Sequence, residues 1–297
     1  MTGIPVCEAA DPFPKQPQRR LPPSATDTHA HVFGPASRYP YMSQRTYTPP
    51  DATVGAYLHL HQQLGIERGV LVQPSVYGTD NRLQSDTLNY LRQMGKQYKG
   101  VAVVNADVSE QELDLLQQSG HCGIRMNLLF KGGIAWTDVE ALAQRLAERR
   151  WHLQFLIDVS DYPDLEQRIA ALPVPVVIDH MGHMPCSKGI DHPGFQSLLR
   201  LLQQGNTWVK LSGAYRISAE ALPPYRDVKA FAQALISANA DRCLWGSDWP
   251  HPHFSHPPLN KAMPNDADLM DALLDWAPDS DLQQKILVDN PALLYDF

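Results

Sequence analysis

From Ala25 onward, short apolar runs alternate with longer segments of helical period. The runs are ATDTH from Ala25, RGVLVQ from Arg68, GVAVVN from Gly100, GIRMNL from Gly123, HLQFLI from His152, VPVVID from Val174, TWVKLS from Thr207 and CLWGSD from Cys243. Continuous runs of this kind suit strands buried on both faces. Between most of them lies a helix-like stretch, such as VEALAQRLAERR or VKAFAQALISANA. Eight strands alternating with helices predict a (β/α)8 TIM barrel over residues 25–297. A doubly wound open sheet is the alternative. It would carry a glycine-rich turn after the first strand, and HVFGP is no phosphate loop. Residues 1–24 are rich in proline and predict an extended arm outside the barrel.

Composition narrows the class. The chain has 297 residues, 43% hydrophobic and 19% charged, ordinary values for a globular protein with a sizeable core. Its formal net charge is −7 and it has no basic, aromatic-interleaved patch, which argues against a nucleic-acid partner. No apolar run reaches the roughly 18 residues of a membrane helix. No charged-then-apolar leader opens the chain, so a cytoplasmic location is expected. The four cysteines (Cys7, Cys122, Cys186 and Cys243) lack CxxC spacing and read as free thiols in a reducing compartment.

In a barrel of this type the chemistry sits at the C-terminal ends of the strands. The first strand ends in Asp27, His29 and His31, which strict alternation would point the same way. The fourth carries Arg125 and Asn127, with Lys131 in the following loop. The sixth runs into Asp179, His180 and His183, and the seventh into Ser212, Tyr215 and Arg216. The eighth ends in GSDWPHP, with Asp248 and His251. Tyr47 and Tyr77 come from the loops after the first two strands. Singly, a histidine at a strand end is most simply a hydrogen-bonded structural residue. An HxH pair joined by a third histidine and an aspartate from distant strands points to chemistry. Arg125 lies within a buried-looking run, where a charge needs a partner or a bound anion. His251, His253 and His256 in HPHFSHP have a spacing that a proline-rich loop also explains.

The set DTHAH at 27–31, VIDHMG at 177–182, VKLSG at 209–213 and LWGSDWPHP at 244–252 resembles the amidohydrolase superfamily. Within it, the chain is most similar to the metal-independent 2-pyrone-4,6-dicarboxylate lactonases and related sugar lactonases. The resemblance implies that Asp248 is the general base on an attacking water. It implies that His29, His31 and His180 face the scissile carbonyl, and that Arg125 and Arg216 bind a substrate carboxylate. Tyr47, Tyr77, Lys131 and His183 complete the expected substrate contacts. The family pattern has arginine where this chain has Lys131 and His183, and tyrosine where it has Leu156. Lysine lacks the bidentate fork of arginine. The implied substrate is therefore a small lactone with less anionic charge than a pyrone dicarboxylate, or a sugar-acid lactone.

The resemblance implies no metal. A single Zn2+ on His29, His31, His180 and Asp248 is the alternative, since zinc accepts nitrogen and carboxylate ligands. A two-metal site is disfavoured, because the fourth strand offers Arg125 and the fifth ends in LIDVS, without histidine. Lactone isomerase, zinc-dependent decarboxylase and a non-catalytic anion-binding barrel are the competing functions. A homo-oligomer, with the arm on a neighbour, is an open expectation.

Overall fold

Eight parallel strands form one sheet in sequence order, β1 (Thr26–Ala30), β2 (Arg68–Val72), β3 (Tyr98–Ala102), β4 (His121–Asn127), β5 (His152–Leu156), β6 (Val176–Ile178), β7 (Thr207–Leu211) and β8 (Cys243–Trp245). The computed structural model describes residues 4–129, 136–252 and 262–297. Helices α1 (Val54–Leu64), α2 (Arg82–Gln93), α3 (Glu110–Ser119), α4 (Trp136–Glu148), α5 (Leu165–Ala170) and α6 (Pro193–Gln204) link successive strands up to β7. The short α7 (Ala214–Ile217) and the longer α8 (Lys229–Asn239) lie between β7 and β8, and α9 (Asp266–Trp276) follows β8. This is the (β/α)8 barrel that the alternation predicts. No helix among the described residues is long and apolar enough to cross a membrane.

The residues after β8 close the ring. The Asp248 amide donates to the His29 carbonyl at 2.8 Å, and the His31 amide donates to the Trp249 carbonyl at 2.7 Å. Gly246 permits this approach, because a Cβ there would lie 2.5 Å from the His29 Cβ. The pairing of β1 with β2 shifts register between Asp27 and Ala30. Such an irregularity re-aims side chains. Asp27 does not share the outlook of His29. It accepts from Tyr57 Oη of α1 at 3.0 Å and from Ser247 Oγ at 2.6 Å, and so buttresses the closure from outside the site. Helix α1 is itself fixed at both ends. The Thr53 hydroxyl caps the Ala56 amide, and Gly65 ends the helix in the left-handed region at φ 78°.

Inside the barrel, alternation builds three layers. Val70, Val72, Val101, Val177, Trp208 and Leu244 pack with Tyr295 into an apolar floor. Burial of each such side chain contributes about 1.5–3 kcal/mol. One inward step along β7 and β5 brings the polar pair Lys210 and Gln154, and one more brings Ser212 and Leu156 to the open end. The arm lies on its own barrel: the Cys7 amide donates to the Thr48 carbonyl and the Lys15 amide to Asn265 Oδ1. The four cysteines form no disulfide.

His152 in the floor and His121 at the start of β4 are buried, and loss of water drives their pKa values down to about 3 and about 4. The native state thus favours their neutral forms, while the unfolded chain protonates near the ordinary 6.5. This contribution is complete above about pH 6.5 and is lost as pH falls towards the folded values, by about 1.4 kcal/mol per pH unit for each histidine. The urea midpoint is expected to hold from pH 8 to 6.5 and to drop by pH 5. A flat midpoint over the lower interval would contradict it.

Candidate active site

Three imidazoles and one carboxylate converge at the C-terminal mouth. Asp248 Oδ1 lies 3.5 Å from His31 Nε2, 3.8 Å from His29 Nε2 and 3.9 Å from His180 Nε2. It accepts no hydrogen bond from the described residues. The other oxygen is fully engaged: Oδ2 accepts from Tyr215 Oη at 2.5 Å and from Arg216 Nε at 2.6 Å. One side of the carboxylate is anchored and the other is bare.

Each histidine is oriented from behind. His31 Nδ1 donates to the Val72 carbonyl at 2.7 Å, so its neutral ring keeps a lone pair on Nε2. His180 Nδ1 lies 2.9 Å from Ser212 Oγ, which can donate or accept. Gly213, at φ +62°, lets β7 pass close to that ring, since a Cβ would lie 2.8 Å from His180 Nδ1. His29 Nδ1 sits 3.2 Å from both Lys210 Nζ and Asp179 Oδ1. Burial lowers the pKa of all three rings, to about 4 for His29, and this outweighs the pull of the nearby carboxylates. They are neutral near pH 7. Burial alone would raise the Asp248 carboxyl, but Arg216 and the imidazoles hold it well below the usual carboxylate range.

His180, Met181, His183, Asp248 and His251 all adopt positive φ, from 49° to 63°. Side chains with a Cβ rarely take this conformation, and such strain concentrates at functional loops.

Beneath the mouth lies a buried ionic layer. Asp179 Oδ2 accepts from Arg125 Nε at 3.2 Å and from Gln154 Nε2 at 3.1 Å. Lys210 Nζ reaches across the barrel to the Thr28 carbonyl and to Gln154 Oε1, both at 2.8 Å. Thus the carboxylates touching the imidazoles, Asp179 and Asp248, are matched by three cations, Arg125, Lys210 and Arg216.

The structure brings His29, His31, His180, Asp248 and Arg216 together, and joins Arg125 to them through Asp179. Tyr47 is buried within the field of Arg125 and Arg216, and burial pushes its phenol up to about 12. His183 packs 6.1 Å from the His180 ring and is pushed down to about 4 by burial and by Arg216, so it offers a hydrogen bond and no charge near pH 7. Tyr77 accepts from the Gly34 amide at 2.9 Å and stacks on Phe33, supporting the loop after β1. Lys131, His253 and His256 lie outside the described residues.

A reading by strand ends alone names His251 without its role and passes over two further participants. His251 Nδ1 lies 3.1 Å from Tyr215 Oη and its Nε2 3.2 Å from Asp266, so that ring braces the tyrosine that holds Asp248. Lys210 and Gln154 are the other two. Their signal was a polar residue at the centre of an otherwise apolar strand.

The family model described as amidohydrolase matches residues 26–297. A 4-sulfomuconolactone hydrolase of Hydrogenophaga intermedia is 38% identical over 278 residues, 93% of this chain and 89% of that protein. A protein of Comamonas testosteroni named 2-pyrone-4,6-dicarboxylate hydrolase is 39% identical over 293 residues, 95% of this chain and 93% of its own. A D-galactarolactone isomerase of Agrobacterium fabrum is 31% identical over 283 residues, 94% of this chain and 93% of its own.

Proposed function

This chain belongs to the amidohydrolase family, and from its site we propose that it opens a small anionic lactone by metal-free hydrolysis. The observation that carries the reading is the bare oxygen of Asp248, anchored through its other oxygen and ringed by three imidazole Nε2 atoms within 3.9 Å. Two relatives bear the names of hydrolases acting on lactones with acid groups, which supports this substrate class.

Water between Asp248 Oδ1 and the His31 lone pair donates one hydrogen to each. As its oxygen bonds to the lactone carbonyl carbon, its proton passes to Oδ1, a general-base step worth about 10²–10⁴-fold. The carbonyl π electrons become an oxyanion, which imidazole N–H groups from His29 and His180 stabilise. Collapse of the adduct breaks the ring C–O bond. The proton on Asp248 goes to the departing oxygen, leaving an open-chain hydroxy acid or its enol. Arg125, Arg216 and Tyr47 draw in and orient the substrate anion. An anion beside Arg216 shares that guanidinium with Asp248 and raises the basicity of Oδ1.

A divalent ion also finds donors here. His29, His180 and Asp248 each offer an atom within 4.8 Å of the others, and two of the candidate atoms, His29 Nε2 and Asp248 Oδ1, make no hydrogen bond among the described residues. Zinc would supply a Lewis acid at that point. The charge balance favours the metal-free reading, because three buried cations already face two carboxylates. A cytoplasmic address fits four cysteines that form no disulfide.

The test is lactone opening on chelator-stripped enzyme, followed with a pH indicator over carboxylated and sugar-acid lactones. Undiminished acid release is the expected result. Activity that returns only with zinc would overturn the metal-free reading. The relative named as an isomerase gives a second reading weight. Product NMR separates the two, since isomerisation moves the ring without releasing acid.

A further inference from the structure

Lys210 has no assigned part in the reaction, yet its ammonium lies directly behind the HxH pair. We propose that Lys210 sets the tautomer of His29, holding the proton on Nε2 so that this ring donates to the substrate carbonyl and is a poor metal ligand. The proposal rests on the lactone-opening reading for its catalytic consequence, but not for the tautomer itself.

A neutral imidazole has one N–H and one lone pair. His29 Nδ1 has two neighbours at the same 3.2 Å, Lys210 Nζ and Asp179 Oδ1, and they make opposite demands. The ammonium can only donate, so it requires a lone pair on Nδ1. The carboxylate can only accept, so it requires the proton there.

Two observations decide between them. Lys210 spends two of its three hydrogens on the Thr28 carbonyl and Gln154 Oε1, each at 2.8 Å, and the contact with His29 Nδ1 takes the third. Asp179 Oδ1 lies outside hydrogen-bonding alignment with the ring despite the 3.2 Å separation and is ion-paired to Lys210 Nζ at 3.6 Å, while Oδ2 is saturated by Arg125 and Gln154.

The far side of the ring agrees. His29 Nε2 is fully buried, makes no hydrogen bond among the described residues and faces Asp248 Oδ1 at 3.8 Å. As a lone pair it would confront a carboxylate oxygen, with the His31 lone pair also turned inward. Such a cluster of buried acceptors is unfavourable. As an N–H it faces an acceptor across a gap that a water or a carbonyl oxygen can bridge. The same proton would have to leave before Nε2 could bind a metal.

The HxH pair is then asymmetric. His29 is the donor to the oxyanion, and His31 is the acceptor that helps orient the water. Lys210 is a positioning residue that acts through His29.

The experiment is a long-range 1H–15N correlation spectrum of the full chain carrying 15N-histidine, with His29 assigned from a His29→Gln sample. Wild type is expected to show Nε2–H at His29. Lys210→Met leaves Asp179 as the only partner and should move the proton to Nδ1. It should lower kcat about a hundredfold, in the range for losing an oxyanion donor, with little change in KM, and tighten zinc binding in competition with a chromogenic chelator. Lys210→Arg, which keeps a donor, should retain the Nε2–H tautomer and recover part of kcat. A wild-type Nδ1–H signal, or an unchanged tautomer in Lys210→Met, would overturn the proposal. Should Lys210→Met fail to fold, the wild-type spectrum decides alone. Absence of lactone turnover with the Nε2–H signal present would count against the functional reading and leave the tautomer assignment standing.

Discussion

Asp248→Asn is expected to lower kcat by about 10²–10⁴-fold, the range for losing a general base, and to leave KM within about twofold. The amide is nearly the same shape as the carboxylate. Its oxygen can still accept from Tyr215 and Arg216, so the loop after β8 keeps its anchor. Its nitrogen then occupies the position of the bare oxygen and cannot take a proton. Loss of the charge also frees Arg216 for the substrate anion, which works against any rise in KM. Steady-state kinetics on the lactone that the stripped-enzyme assay identifies, with product binding measured by calorimetry, would check both halves. Near-normal turnover would remove Asp248 from the mechanism.

Asp179→Ala is expected to cost about 3–5 kcal/mol of folding stability, the penalty for removing one partner from a buried ionic cluster. Asp179 is fully buried, with Arg125 at 3.2 Å and Lys210 at 3.6 Å. Lys210 is fully buried and Arg125 only 7% exposed, so neither is hydrated as a surface cation is. Both would be left with uncompensated charge in a medium where that is expensive. Urea unfolding at pH 7.5 measures the loss. An unfolding free energy within about 0.5 kcal/mol of wild type, the size of an ordinary surface change, would show that water reaches this layer and that its cations do not depend on Asp179.

Much of this architecture was legible in the chain. Each β-run stood out as an apolar block, because strands covered on both faces need no polar alternation. Their boundaries were less exact. VPVVID became Val176–Ile178, and GIRMNL extended back to His121, where backbone pairing with neighbouring strands sets the limits. Asp27 was misaimed by strict alternation, because the irregularity between β1 and β2 cannot be seen in either strand alone. Lys210 was visible as a residue of β7 but not as a participant. Its importance lies in reaching the Thr28 carbonyl on β1 and Gln154 on β5, two strands that do not adjoin its own. Tyr215 and His251 were similarly readable as letters and not as a brace for Asp248.

The sequence by itself determined the alternation of elements, and therefore the barrel and the end at which its reactive side chains collect, since hydrophobic period and strand direction are local properties of the chain. Only the tertiary structure decided which oxygen of Asp248 is bare, which histidines are buried enough to be neutral and which groups flank each nitrogen of His29. Those properties depend on burial and on contacts of 4 Å or less between residues far apart in sequence, and closure of the barrel creates both.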